Sequence, residues 1–265
     1  MKTTRRSAIF GSLAAATGAG AASQSLASCA PGPAPANDAL TKVTVIGVIH
    51  RTHRRSRTYS LDVLREAVRR AEPDVILTEI PPDRIAKAKS SFAETGEVTE
   101  SRTRVFPEYT DVVFPLSREM DFELVGTAGW TQTIADDRGA ALKQIENDPA
   151  RASQWAEHQA ARAEYSRALN GRGDDPRFIH TLEYDVLVQR AQTPYQVYFD
   201  RDLGSGGWTQ INAAHTDLIN SALNSISGQG LRALVMFGSW HKYTIERSLL
   251  LRSDIERLDA LDLFA

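Results

Sequence analysis

The feature that most constrains this chain is a strand–helix–strand succession with a short connection. Val43 to Ile49 is a short β-branched apolar run and reads as a buried strand. A basic loop, Arg51 to Tyr59, follows. Ser60 is placed to cap a helix over Leu61 to Ala71, with Asp62 in the first turn and Leu61, Leu64 and Val68 on one face. Glu72-Pro73 ends that helix, and Asp74 to Ile80 is the next strand. So short a crossover is the mark of parallel pairing, and it commits the chain to an α/β architecture.

The remaining elements extend that frame. Pro81-Pro82 breaks the second strand, and a Lys-rich helix runs to about Phe92. Glu94 to Arg104 is polar and reads as a mobile segment. Tyr109 to Met120 has helical character with a kink at Pro115. Phe122 to Gly126 is a third strand and Leu231 to Phe237 a fourth. A helix from Trp208 to Ile226 follows the glycine turn Gly204 to Gly207, which reads as a hinge and lacks the Lys-Ser/Thr of a P-loop. His241 to Leu251 reads as a helix and Leu258 to Phe264 as an edge strand. Between about residues 130 and 190 lies a helical block. Asp148-Pro149 and Asp175-Pro176 start helices in it, and Asn170-Gly171 ends one. The fold class expected is α/β: a mostly parallel central sheet flanked by helices, with an α-helical insertion that can lie over the sheet edge.

The first residues read as an address, so the domain begins at about residue 42 and runs to 265. Thr4-Arg5-Arg6-Ser7 followed by an Ala/Gly-rich stretch resembles a twin-arginine signal over residues 1–28, which implies export to the periplasm. The single cysteine sits in Leu26-Ala27-Ser28-Cys29, where lipidation of Cys29 would anchor the chain and residues 29–41 would act as a flexible tether. The alternative is simple cleavage and a free periplasmic protein. With one cysteine, disulfides and thiolate chemistry are excluded from the mature domain. The formal charge is −2, and −5 once Lys2, Arg5 and Arg6 are removed, which argues against a nucleic-acid partner.

Chemistry gathers where the strands end. Gly47-Val48-Ile49-His50 closes the first run and Gly238-Ser239-Trp240-His241 the last, and the second run closes on Glu79. The carboxyl edge of an open parallel sheet is where ligands bind. Two imidazoles and a carboxylate there can hold a divalent metal ion or share general acid–base roles. Each glycine sits where positive φ or close approach of a ligand is useful. Plainer readings stay open: Glu79 as a helix N-terminal carboxylate or a partner of Arg84, His50 as a surface histidine, His241 as a packing partner of Trp240. The loop after His50 offers His53 and Arg51 as substrate contacts, although its arginines also suit a solvated surface or anionic lipid. Lys242 and Tyr243 follow the second motif, and Tyr243 would suit a haem ligand. His215 reads as a helix-surface or core histidine, and His158 and His180 as structural. No Gly-x-Ser-x-Gly elbow is present, so a serine hydrolase of α/β-hydrolase type is excluded.

The segments Val45 to His50, Pro73 to Glu79 with Arg84 downstream, and Val235 to His241 resemble the TraB/TIKI family. That family lies within a wider group of erythromycin-esterase-like and ChaN-like proteins. The likeness covers about a third of the mature chain. It implies an α/β core with paired Gly-x-x-His motifs and a glutamate at one site: His50, Glu79 and His241, with Arg84 in support. It also implies metal-dependent peptide cleavage or ester hydrolysis, or else haem or iron binding without catalysis. The chain departs from the family at Thr78-Glu79-Ile80, where an Asp-containing ending is usual, so one neighbouring carboxylate is missing. The expected function is therefore an exported hydrolase of peptide, ester or related bonds, and the expected partner a small-molecule or peptide substrate.

Overall fold

Five parallel strands carry the molecule: β1 (Thr41–Val48), β2 (Val75–Thr78), β3 (Glu123–Gly126), β4 (Arg232–Gly238) and β5 (Ile255–Arg257), in the order β3-β2-β4-β1-β5. The structure is a computed structural model that describes residues 39–265. The expected twin-arginine segment, Cys29 and most of the tether lie outside these residues.

Alternation along the strands sends side chains to two cores. Val43, Val45, Val75, Leu77, Val235 and Phe237 face one side. Ile46, Val48, Ile76, Leu234 and Met236 face the other. Both faces are apolar because both are covered, as parallel sheets require. Helix α1 (Leu61–Ala71) packs on the second face through Leu64 and Val68. Ser60 caps it, accepting the Val63 amide hydrogen at 3.3 Å. Helix α2 (Pro82–Thr95) joins the same core through Ile85 and Phe92. After it, the segment expected to be polar and mobile is tied down by Glu100. That buried carboxylate accepts from the amides of Arg102 and Thr103 and from the Thr103 hydroxyl.

The expected kinked helix near Pro115 is instead a π-helical turn, Glu108–Val113, running into the short α3 (Phe114–Leu116). The helical insertion comprises α4 (Gln132–Asn147), α5 (Ala152–Ala168), α6 (Pro176–Ile179) and α7 (Leu182–Phe199). Asp148 and Asp175 cap their turns as expected, and Asn170 and Gly171 both take positive φ after α5. Helices α8 (Trp208–Ser225) and α9 (Lys242–Leu249) cover the first face through Ile219, Leu223, Ile245 and Leu249.

One edge differs from expectation. The fifth strand is Ile255–Arg257, paired parallel to β1, and Ala260–Phe264 is a 3-10 turn. The Asp259 carboxylate accepts from the Leu261 amide and so starts a turn where the sequence pattern favoured a strand.

Candidate functional site

The sheet order explains why the two Gly-x-x-His motifs meet. β1 and β4 are neighbours, with Val48 opposite Gly238, so both motifs leave the same edge side by side. Both glycines serve close packing of the chain on itself, not positive φ. A Cβ on Gly47 would come within 2.9 Å of Ser239 Cα. A Cβ on Gly238 would come within 2.6 Å of His50 Nε2 and 3.3 Å of Glu79 Oε2. Residue 238 must therefore lack a side chain for the two functional groups to approach.

Glu79 is turned into the site by Tyr109. Pairing of β2 with β4 ends at Thr78 opposite Met236. There the Tyr109 hydroxyl enters, accepting the Glu79 amide hydrogen at 2.8 Å and donating to the Met236 carbonyl at 2.8 Å. One phenol replaces the next direct bond between the strands and splays them apart. The Glu79 carboxylate is buried and anchored by the Gly238 amide, which donates to Oε2 at 2.7 Å.

The two histidines flank that carboxylate. His50 Nε2 lies 3.9 Å from Oε2, and His241 Nε2 lies 3.8 Å from Oε1. Both gaps are too long for hydrogen bonds. Each ring is fixed from behind. His50 Nδ1 donates to Glu108 Oε1 at 2.6 Å, and His241 Nδ1 donates to Asn212 Oδ1 at 2.8 Å. Asn212 is itself oriented, donating to the Trp208 carbonyl and accepting from the Thr244 hydroxyl. With Nδ1 carrying the proton, a neutral His241 points its Nε2 lone pair at Glu79. His50 holds this pose with a φ of 49°, a left-handed conformation uncommon outside glycine.

His215 completes the cluster. A ring nitrogen of His215 lies within 4.8 Å of the ligand atoms of Glu79 and His241, and the His215 and His241 rings meet edge to face at 5.0 Å. His215 Nδ1 accepts the Gly129 amide hydrogen at 2.8 Å. A neutral His215 must then carry its proton on Nε2, and that atom is buried without a partner. Proximity alone would group His215 with the metal donors. Its tautomer makes it a hydrogen-bond donor instead.

The rings differ in proton affinity. Burial alone would lower His50, but the Glu108 hydrogen bond and the charges of Glu79 and Glu108 outweigh it and raise it to about 9. Burial lowers His241 to about 3 against the pull of Glu79, and lowers His215 to about 3. Trp208 stacks on His241 at 4.7 Å, and Phe106 tilts over His50 at 5.1 Å. The His50 side chain is 36% exposed and that of His241 12%, so the site opens toward His50.

No protein-family model, no curated protein and no solved structure matches the chain.

The other expected contacts fall elsewhere. His53 is buried with both nitrogens engaged: Nδ1 donates to the Tyr59 carbonyl and Nε2 accepts from the Ile49 amide. It shapes the turn that presents His50 and has no atom left for a substrate. Arg51 is exposed on that turn. Arg84 pairs with Asp83 at 3.0 Å and with Glu100 at 3.5 Å. The Tyr243 hydroxyl accepts from the Trp208 indole at 2.9 Å, and burial raises its pKa, the opposite of what a tyrosinate ligand needs. Lys242 is buried against Asp185 and Glu246. His180 is structural, accepting the Gly47 amide hydrogen at 2.9 Å. The insertion closes over both motifs through that bond and through Tyr184 on Ser239 and Tyr165 on Trp240.

The sequence reading missed Glu108, Asn212 and His215. For the last two a signal exists. Trp208, Ile211, Asn212, His215 and Ile219 lie on one buried stripe of α8, and two polar side chains on a core-facing stripe require partners.

Proposed function

We propose that this chain is a metal-dependent hydrolase of peptide, ester or related bonds, of the TraB/TIKI-like kind, exported by the twin-arginine route. The observation that carries this reading is the convergence of donor atoms at Glu79. Two imidazoles, each held through Nδ1 by its own acceptor, present Nε2 to a carboxylate at 3.8 and 3.9 Å. Neutral His241 faces Glu79 lone pair to lone pair, which a cation relieves, and His50 would give up its Nε2 proton to the same ion. Donor atoms around a zinc-like ion with bonds of about 2.0–2.2 Å sit roughly 3 to 4 Å apart, the range of both Glu79–histidine distances, although the mutually close ligand atoms are those of Glu79, His215 and His241. Glu108 and Asn212 match the outer acceptors that orient ligating histidines.

Glu79, His241 and His50 would hold the ion, which when bound supplies Lewis acidity toward a carbonyl and toward water. The protein supplies the rest. Glu108 and Asn212 fix ring orientation. His215 offers a buried Nε2–H to the oxyanion that develops as a carbonyl is attacked. Trp208 and Phe106 wall the site and limit water.

The test is metal analysis with an absorption spectrum on protein purified without chelator. About one equivalent of a divalent transition metal is expected, lost in His241→Ala and retained in His215→Gln. Absence of metal in the native protein, with no uptake on reconstitution, refutes the reading. Loss of metal in His215→Gln refutes the tautomer assignment alone.

A further inference from the structure

A second cavity lies within the helical insertion, behind Trp208. Its volume is about 200 Å³. At about 30 Å³ per water it has room for roughly six, or for one small ring with a charged group. Its floor is polar yet buried: His158 and Gln192 lie there, both under a tenth exposed. His158 Nδ1 is buried without a partner. Arg138 lines one side and Arg162 stands exposed at the mouth. Arg138 donates to the Tyr195 hydroxyl, and the Arg162 guanidinium lies over the Trp240 ring. Among the described residues neither arginine forms an ion pair with a carboxylate. Trp155 and Trp208 supply flat apolar walls.

Two guanidiniums without ion-pair partners, above a buried polar floor on which His158 Nδ1 lacks a partner, form a cation-rich cup that requires acceptors. We propose that this cavity is a subsite for an oxyanionic group, carboxylate or phosphate, on a small ring-bearing ligand. Arg138 and Arg162 supply the charge, and His158 and Gln192 supply the polar floor. Trp208 forms the partition, lining the cavity while stacked on His241 at 4.7 Å. A ligand seated here borders the His/Glu cluster. The step from ligand to substrate rests on the hydrolase reading; the binding itself does not.

The experiment follows tryptophan fluorescence during titration with benzoate, phenyl phosphate and the uncharged benzamide. It uses the wild-type protein, His241→Ala and the double variant Arg138→Gln/Arg162→Gln. At least one anion is expected to bind saturably, with benzamide weaker by about tenfold or more. The double variant loses the preference for the anion. His241→Ala keeps it, so failure of the metal site leaves this result standing. Tighter binding of phenyl phosphate assigns the subsite to phosphate, and of benzoate to carboxylate. Thermal unfolding checks the double variant. If it does not fold, the exposed Arg162→Gln alone must weaken the anion. No saturable binding of either anion, equal binding of benzamide, or unchanged binding in the arginine variants overturns the proposal.

Discussion

The Glu108–His50 pair sets how a metal ion competes with protons, and Glu108→Gln isolates that effect. His50 is held at about 9 by the buried Glu108 and by Glu79. Two units above pH 7, about 99 rings in 100 carry a proton on Nε2, the atom a metal needs. Metal binding at pH 7 therefore displaces about one proton from His50. His241, near 3, is already neutral and contributes none. The ring is about a third exposed, so water screens part of the pull. Even a value of roughly 8 leaves about nine-tenths of the rings protonated at pH 7. In Glu108→Gln one charge is removed and the hydrogen bond loses its charged acceptor, while Glu79 still raises the ring and burial, the largest single influence, still lowers it. A ring at or below the ordinary value of about 6.5 is at most about a quarter protonated at pH 7. The predicted difference between the two proteins is thus up to about three-quarters of a proton per metal. A proton lost by bound solvent is common to both and cancels. Calorimetric titration with zinc in two buffers of different ionisation heat reads this number directly. Affinity should also rise about tenfold per pH unit from 7 toward 9 in the wild type and then level off. Equal proton release by both proteins would refute the assignment of His50 as a protonated ligand under Glu108 control.

Three further outcomes follow from the geometry. Gly238→Ala should fold yet bind metal at least about tenfold more weakly, because its Cβ occupies the space of His50 Nε2; metal titration beside thermal unfolding separates the two effects. Tyr109→Phe strands the Glu79 amide and the Met236 carbonyl and should cost about 2 kcal/mol or more in denaturant unfolding; a loss under about half a kcal/mol would show that the strands close directly. His53 and His215 are buried and His180 and His241 largely so, and all four are lowered to about 3 or 4, loss of hydration being the main cause in each. They bind protons more readily when unfolded, so the metal-free protein should lose stability as pH falls from about 6.5 toward 4, taking up about four histidine protons on unfolding near pH 5. A flat stability profile across that window would contradict their burial as neutral rings.

How legible the site was depended on whether local pattern or distant contact decides each residue. The strand–helix–strand unit and the runs ending in His50, Glu79 and His241 are local, and the parallel sheet brings their ends to one edge. Glu108 was not legible. It belongs to a π-helical turn with no local marker, and its meaning comes from His50, far away in sequence. His53 was misread because composition cannot distinguish a histidine that faces out from one that bonds the chain on both sides. Tyr243 was misread for a similar reason, since its partner is the Trp208 indole on another helix. The final strand was misplaced because the Asp259 cap competes with β pairing over very few residues.

The position of β4 has a consequence for how this protein comes into being. It lies between β1 and β2, though both precede it by well over a hundred residues. A chain emerging from the ribosome can build α1 and much of the helical block early. It cannot join β1 to β2, because the strand between them is made almost last. The anchoring amide of Gly238 and the ring of His241 arrive with that strand. No truncated intermediate can therefore carry a half-working centre, and capture of a metal ion would mark a finished chain.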